Sequence, residues 1–167
     1  SLGMLQRLCF AMMVAADTPI MLMDEVMNGL DLSNVALISE RLIEMKKENK
    51  LIFVASHLLR NLDLYADRVL FLKDGDIIYQ QYLNEEDEVY IKVALKSEQY
   101  HKLNEGYVLP AGHLYIADRL LCVPLVGMEL AEQMNWIERL LAFKEQELTI
   151  GPLGTVEHYE KYYHGTE

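Results

Sequence analysis

Two short apolar runs, Ile20-Met21-Leu22-Met23 and Leu51 to Ala55, bracket a helical stripe. Each run is bounded by polar residues and is too short for a helix, which suits strands buried in a parallel sheet. Between them, Asn34 to Lys47 sets Val35, Ile38, Leu42 and Met45 on one face, and Glu48-Asn49-Lys50 closes the segment. Upstream, Met4 to Ala16 is apolar on nearly every side, which predicts a helix buried on most faces. Asp17-Thr18-Pro19 ends it. Downstream, Leu58 to Tyr65 predicts a short helix. Val69 to Lys73 and Asp76 to Tyr79 flank Asp74-Gly75, a dipeptide suited to a tight hairpin because Gly accepts positive φ. Strands alternating with helices predict an α/β layer around a parallel sheet, with Ile20 to Met23 as a central buried strand.

The residues with chemical potential sit at the ends of these runs. Asp24-Glu25 closes the first strand at its carboxyl end, where ligands of open α/β sheets bind. One carboxylate there can hold Mg2+, and its neighbour can orient or deprotonate a water. Taken alone, the pair is more simply a strand followed by an acidic turn. His57 closes the second strand at the same edge, 32 residues after Glu25. A lone His is more often a structural hydrogen-bonder than a catalytic group. Ser1-Leu2-Gly3 precedes the first helix, so a hydroxyl, a glycine N–H and a helix N-terminus converge on a spot suited to an anion. An ordinary Ser cap explains the same residues equally well. Asp31 stands before the Asn34 helix as a candidate N-cap, with Ser33 as its rival.

In order and spacing, Ser1-Leu2-Gly3-Met4-Leu5-Gln6-Arg7, Met23-Asp24-Glu25, Asn28-Gly29-Leu30-Asp31 and Ala55-Ser56-His57 resemble the signature motif, Walker B, D-loop and switch histidine of ABC-type ATPases. Tyr65-Ala66-Asp67-Arg68-Val69 and the hairpin around Asp74-Gly75 extend the resemblance to about residue 82. It implies an α/β fold, a partial P-loop NTPase sheet, with ATP and Mg2+ as cofactors. By the same resemblance, Asp24 serves the metal, Glu25 polarises the attacking water and His57 contacts the γ-phosphate. Ser1 and Gly3 reach the ATP of a second, head-to-tail subunit, and Gln6 and Asp31 belong to the same cofactor-binding edge. Val26-Met27 and Leu32 depart from residues common around the D-loop, and both are expected to alter its path without removing a functional group. The implied parent is the ATP-binding subunit of an ABC transporter, most similar to exporters of antibiotics or other hydrophobic compounds. It would power a separate membrane permease from the cytoplasmic face of the cell membrane. The pattern G-x-x-x-x-G-K-[ST] does not occur, and none of the nine glycines is followed by Lys. The chain therefore reads as a fragment that neither binds ATP tightly nor turns it over alone.

Past Glu85-Glu86-Asp87-Glu88, which reads as a solvated linker, the pattern changes. The expected order is a strand at Val89 to Leu95, a helix at Ser97 to Leu103, strands at Leu114 to Ile116 and Leu120 to Val126, a helix at Glu129 to Phe143, a strand at Glu147 to Ile150 and a closing helix at Thr155 to Tyr163. That β-α-β-β-α-β order is that of a small α+β, ferredoxin-like fold. The domains expected are thus 1–84, the ATPase portion, and 85–167, an accessory domain. As rivals to the transport reading stand a soluble ABC ATPase without a transport role and a regulatory or dimerising module with no activity of its own. Composition bears on these rivals. A net charge of −11 over 167 residues argues against nucleic acid as a partner. The longest apolar run, Leu8 to Ala16, is far short of the roughly 20 residues of a membrane span. Cys9 and Cys122, the only two cysteines, both fall in apolar segments and are expected to be buried reduced thiols. Met12, Met21, Met23 and Met45 are expected in the core, and Tyr159, Tyr162 and Tyr163 form an aromatic patch on the last helix.

Overall fold

The computed structural model describes residues 2–83, 88–143 and 147–165 and divides into two compact units, residues 1–67 and 68–167. Ser1 and the linker residues Glu85, Glu86 and Asp87 lie outside the described residues.

In the first unit, α1 spans Leu2–Ala16, β1 Ile20–Asp24, α2 Leu32–Lys47, β2 Leu51–Ala55 and α3 Leu59–Tyr65. β1 and β2 pair in parallel, with Ile20 opposite Leu51 and Asp24 opposite Ala55. The expected stripe on α2 is the one that packs: Val35, Ile38, Leu42 and Met45 are all buried. In the same unit Met21 and Met23 of the sheet are buried, as are Val26, Met27, Leu62 and Tyr65. Burying a side chain of that size is worth about 1.5–3 kcal/mol. Lys46 ties α2 to the end of α3, donating to the Tyr65 carbonyl at 3.0 Å and to Asp67 at 2.7 Å.

Three expectations fail in this unit for a single reason. α1 buries only Phe10, while Leu5, Leu8 and Met12 are more than half exposed. Cys9 on the same helix is exposed rather than buried. β1 is not a central strand buried on both faces, because it belongs to a sheet of two strands and alternates, with Met21 and Met23 inward and Ile20 and Leu22 outward. An apolar sequence drives burial only where another layer covers it, and no described element of the unit covers these faces.

The second unit begins with the hairpin β3 (Arg68–Lys73) and β4 (Asp76–Tyr82). Asp74 and Gly75 both take positive φ, 53° and 93°, as a two-residue hairpin turn requires. Packing thus groups the hairpin with the C-terminal residues, whereas the acidic segment that marks a boundary in the sequence lies after it. Then follow β5 (Tyr90–Ala94), α4 (Ser97–Gly106), β6 (Leu114–Ile116), β7 (Leu120–Pro124), α5 (Leu130–Leu141), β8 (Leu148–Gly151) and α6 (Thr155–His164). The four strands β5 to β8 form one sheet in the order β6-β7-β5-β8, and every neighbouring pair is antiparallel.

Period-two alternation divides that sheet into two cores. Ile91, Val93, Tyr115, Leu121 and Val123 cluster with Tyr100 and Leu103 of α4 and Trp136 and Leu140 of α5. Tyr90, Ile116 and Cys122 point the other way and cluster with Leu153. Burial pushes the Cys122 thiol up to about 12, so it stays protonated, while nearby Glu157 adds to the effect. Tyr115 closes the fold locally, its hydroxyl donating to the carbonyls of Leu95 at 2.9 Å and Asp118 at 2.7 Å.

Candidate functional site

The parallel pairing of β1 and β2 puts both carboxyl ends at one edge, so Asp24 and the residues after Ala55 become neighbours. Chain direction then turns sharply. Glu25 adopts φ 50°, a left-handed conformation uncommon for a non-glycine residue and frequent at functional positions. Its N–H donates to the Ala55 carbonyl at 2.9 Å, which extends the strand ladder one residue past β1 and aims the side chain across at β2. There Glu25 Oε1 accepts the backbone N–H of His57 at 3.1 Å. The other oxygen, Oε2, lies 2.8 Å from His57 Nδ1. Oε2 is buried and has no aligned hydrogen-bond donor among the described residues. Ser56 fixes the approach to α3, its hydroxyl oxygen accepting the Leu58 N–H at 3.0 Å.

Tyr65 is a member of this site that sequence reasoning missed. It is buried beneath the edge, and its phenol is pushed up to about 12, first by burial and then by the nearby Glu25 carboxylate. The Tyr-Ala-Asp-Arg segment signals only the end of a short helix, and nothing in its spacing points back to Glu25. Asp24 differs from its neighbour. It is exposed, and it contributes the one carboxylate of an open, otherwise apolar groove of about 290 Å³ lined by Leu22, Met23, Phe53 and Ala55. Among the described residues no group of three or more His, Cys, Asp or Glu side chains could hold a metal ion. Any cation at Asp24 would therefore need most of its ligands from beyond the described residues.

A second group of expected residues gathers around the start of α2. Asp31 is its N-cap, accepting the Asn34 N–H at 2.9 Å and the Asn34 side-chain amide with both oxygens. These bonds, the backbone one first, hold its carboxyl below the usual range. Ser33 is not the cap, and the helix begins two residues before the Asn34 start that the stripe suggests. Arg7 of α1 reaches the same Asn34, donating to Oδ1 at 3.2 Å. Gly3 sits against the Gly29 carbonyl and the Leu30 side chain, each 3.5 Å from where a Cβ would stand. Gly29 takes φ +71°, and a Cβ there would meet the Leu2 side chain at 3.1 Å. The start of α1 and the Asn28–Asp31 loop are thus one packed locus, joined to Glu25 by the turn in which Asn28 N–H donates to the Glu25 carbonyl at 3.0 Å. Gln6 is half-buried and makes no side-chain hydrogen bond among the described residues, and Ser1 lies outside them.

No protein-family profile matches the chain. Individual relatives do. It is 32% identical over 111 residues to the uncharacterized ABC transporter ATP-binding protein YhcH of Bacillus subtilis, a stretch covering 63% of this chain and 36% of the relative. It is 35% identical over 78 residues to a fluoroquinolones export ATP-binding protein of Mycobacterium tuberculosis, covering 47% of this chain and 26% of the relative. It is 34% identical over 76 residues to the phosphate import ATP-binding protein PstB 1 of Lactococcus lactis, covering 46% and 30%. The chain therefore spans a quarter to just over a third of the length of these relatives. Over about half its residues the chain is similar to ABC transporter ATP-binding proteins, a fluoroquinolones export ATP-binding protein among them.

Proposed function

We propose that residues 1–84 are the signature-to-switch portion of an ABC-type ATPase that drives transport, and that residues 85–167 are an accessory domain. The observation that favours this reading most is the Glu25–His57 pair. One carboxylate oxygen is fixed by the His57 backbone at 3.1 Å and the other lies 2.8 Å from the ring, so a water between them and a phosphate would meet an oriented base. In this reading Glu25 polarises the attacking water and His57 contacts the γ-phosphate. Asp24 supplies one ligand to Mg2+, and bound Mg2+ would neutralise phosphate charge. Gly3, with Ser1, faces the ATP of a second subunit, and Gln6 and Asp31 line the same edge. The packing of α1 against the Gly29–Leu30 loop supports this grouping.

The partners would be a second ATPase subunit and a membrane permease, with the chain held at the cytoplasmic face through the latter. Among the described residues no helix is long and apolar enough to cross a membrane, which is compatible with a separate permease. Export is the direction we favour, since two relatives named for fluoroquinolones export match the chain, each 35% identical over 78 residues, beside one named for phosphate import. For the accessory domain we favour a ferredoxin-like topology. The strand order β6-β7-β5-β8, all antiparallel, with α4 and α5 as the two crossovers, supports it.

The 167-residue chain contains no G-x-x-x-x-G-K-[ST] sequence to cradle phosphates. The purified chain is accordingly expected to release no phosphate from Mg-ATP above background. Turnover that disappears in Glu25→Gln would sink that expectation. In a longer frame that includes a phosphate loop, Glu25→Gln should keep ATP binding and lower turnover by about 100-fold or more. Unchanged turnover there would remove Glu25 from the chemistry.

A further inference from the structure

Among the described residues the hairpin β3–β4 pairs with no strand of the four-stranded sheet, yet it belongs to the same compact unit. α6 lies between them and contacts both. On the hairpin side, Tyr162 stacks on Tyr79 with centroids 4.3 Å apart, His158 lies 4.9 Å from the Tyr79 ring, and the Tyr163 hydroxyl donates to the Leu72 carbonyl. Thr155 Oγ1 donates to Gln81 Oε1 at 3.1 Å, and both residues are almost fully buried. On the sheet side, Glu157 accepts from Lys92 of β5 at 3.3 Å, Glu160 pairs with Arg119, and the Gly165 carbonyl accepts the Ala117 N–H at 3.2 Å.

This seam differs from the core on the other face of the sheet, where α4 and α5 pack with aliphatic and aromatic side chains and α6 takes no part. The seam mixes hydroxyl, amide, imidazole, phenol and charged groups with the Phe71 ring. It also holds an orphan: Gln81 Nε2 is buried with no hydrogen-bond partner among the described residues. Burying an amide N–H without a partner opposes docking, and water would satisfy it on release. A contact that joins two pieces while favouring its own hydration is suited to opening locally.

We propose that α6 is a releasable strap. Docked, it fastens the hairpin to the four-stranded sheet. Undocked, it frees the hairpin while the sheet with α4 and α5 stays folded. The Gln81–Thr155 pair sets the balance between the two states.

Hydrogen exchange followed by mass spectrometry on the full 167-residue chain tests this, with β5 and β7 as internal reference. The amides of α6 and of the hairpin should exchange together and faster than those of β5 and β7. Thr155→Val leaves both ends of the Gln81 amide without a partner, so both segments should exchange about fivefold faster or more, with the reference unchanged. Gln81→Leu combined with Thr155→Val replaces both partners by apolar groups and should return exchange to the wild-type rate or below it. If α6 and the hairpin exchange at the rate of β5 and β7, the strap does not exist. The proposal equally fails if Thr155→Val opens α6 alone, or if the double variant exchanges as fast as the single one.

Discussion

Glu25 shows how one residue's backbone decides its chemistry. Its left-handed φ lets the N–H stay in the β1–β2 ladder while the carboxylate turns onto His57. Beneath it, Tyr65 places a buried phenol with no hydrogen-bond partner among the described residues. That phenol titrates near 12 in the fold against about 10 when unfolded, because burial and Glu25 both disfavour the phenolate. Its contribution is fully present below pH 10 and is lost as pH rises from 10 to 12. Tyr65→Phe should therefore leave stability at pH 7 unchanged or slightly higher, and should remove up to about 2 kcal/mol of the alkaline loss. Denaturant titrations of both proteins at neutral and alkaline pH would show it. Parallel pH dependences would mean that Tyr65 is not desolvated. None of this is legible in the sequence, since Tyr65 follows Glu25 by forty positions and only the folding of α3 under the strand edge brings them near.

At the scale of elements, the turn from Val26 to Leu30 locks α1 to the start of α2. Gly29 is the critical position, because it needs positive φ and has the Leu2 side chain 3.1 Å from any added Cβ. Gly29→Ala should cost about 1–2 kcal/mol from the left-handed conformation alone, with steric crowding adding to it. Thermal unfolding measures this, and a loss below about 0.5 kcal/mol would mean that the loop repacks freely. The sequence marks this loop well, because Asn-Gly followed by Leu-Asp is both a turn signal and a cap signal. It also marks the α2 stripe, since four buried residues recur at helical spacing on a helix otherwise rich in charge. Strands are harder to read. The strand expected at Leu120 to Val126 stops at Pro124, beyond which Val126 is exposed.

At the scale of the whole molecule, residues 1–67 leave many large apolar side chains uncovered. Leu5, Leu8 and Met12 on α1, together with Ile20, Leu22, Leu51 and Phe53 on the strands, are 45–72% exposed. Scattered exposed apolar residues are ordinary, but this many in one small unit favours association. Replacing Leu5, Leu8 and Met12 together by Gln should leave the melting temperature within a few degrees and shift sedimentation toward monomer at high concentration. A large loss of stability would mean instead that α1 packs more deeply than its exposure indicates. The net charge of −11 opposes self-association at low salt, so the difference should widen as salt screens it.

The sequence by itself determined the order of elements, the amphipathic stripe of α2, the hairpin turn at Asp74-Gly75, and the polar residues that end each strand of the first unit. Those features are local, fixed by side-chain period, turn chemistry and capping within a few residues. Only the tertiary structure decided which apolar faces are covered, and so why Cys122 is buried while Cys9 and Met12 are not. It alone brought Tyr65 near Glu25, and the hairpin against α6. Burial and pairing depend on which distant segments arrive to supply a second surface, and hydropathy along the chain records the demand for such a surface without saying whether it is met.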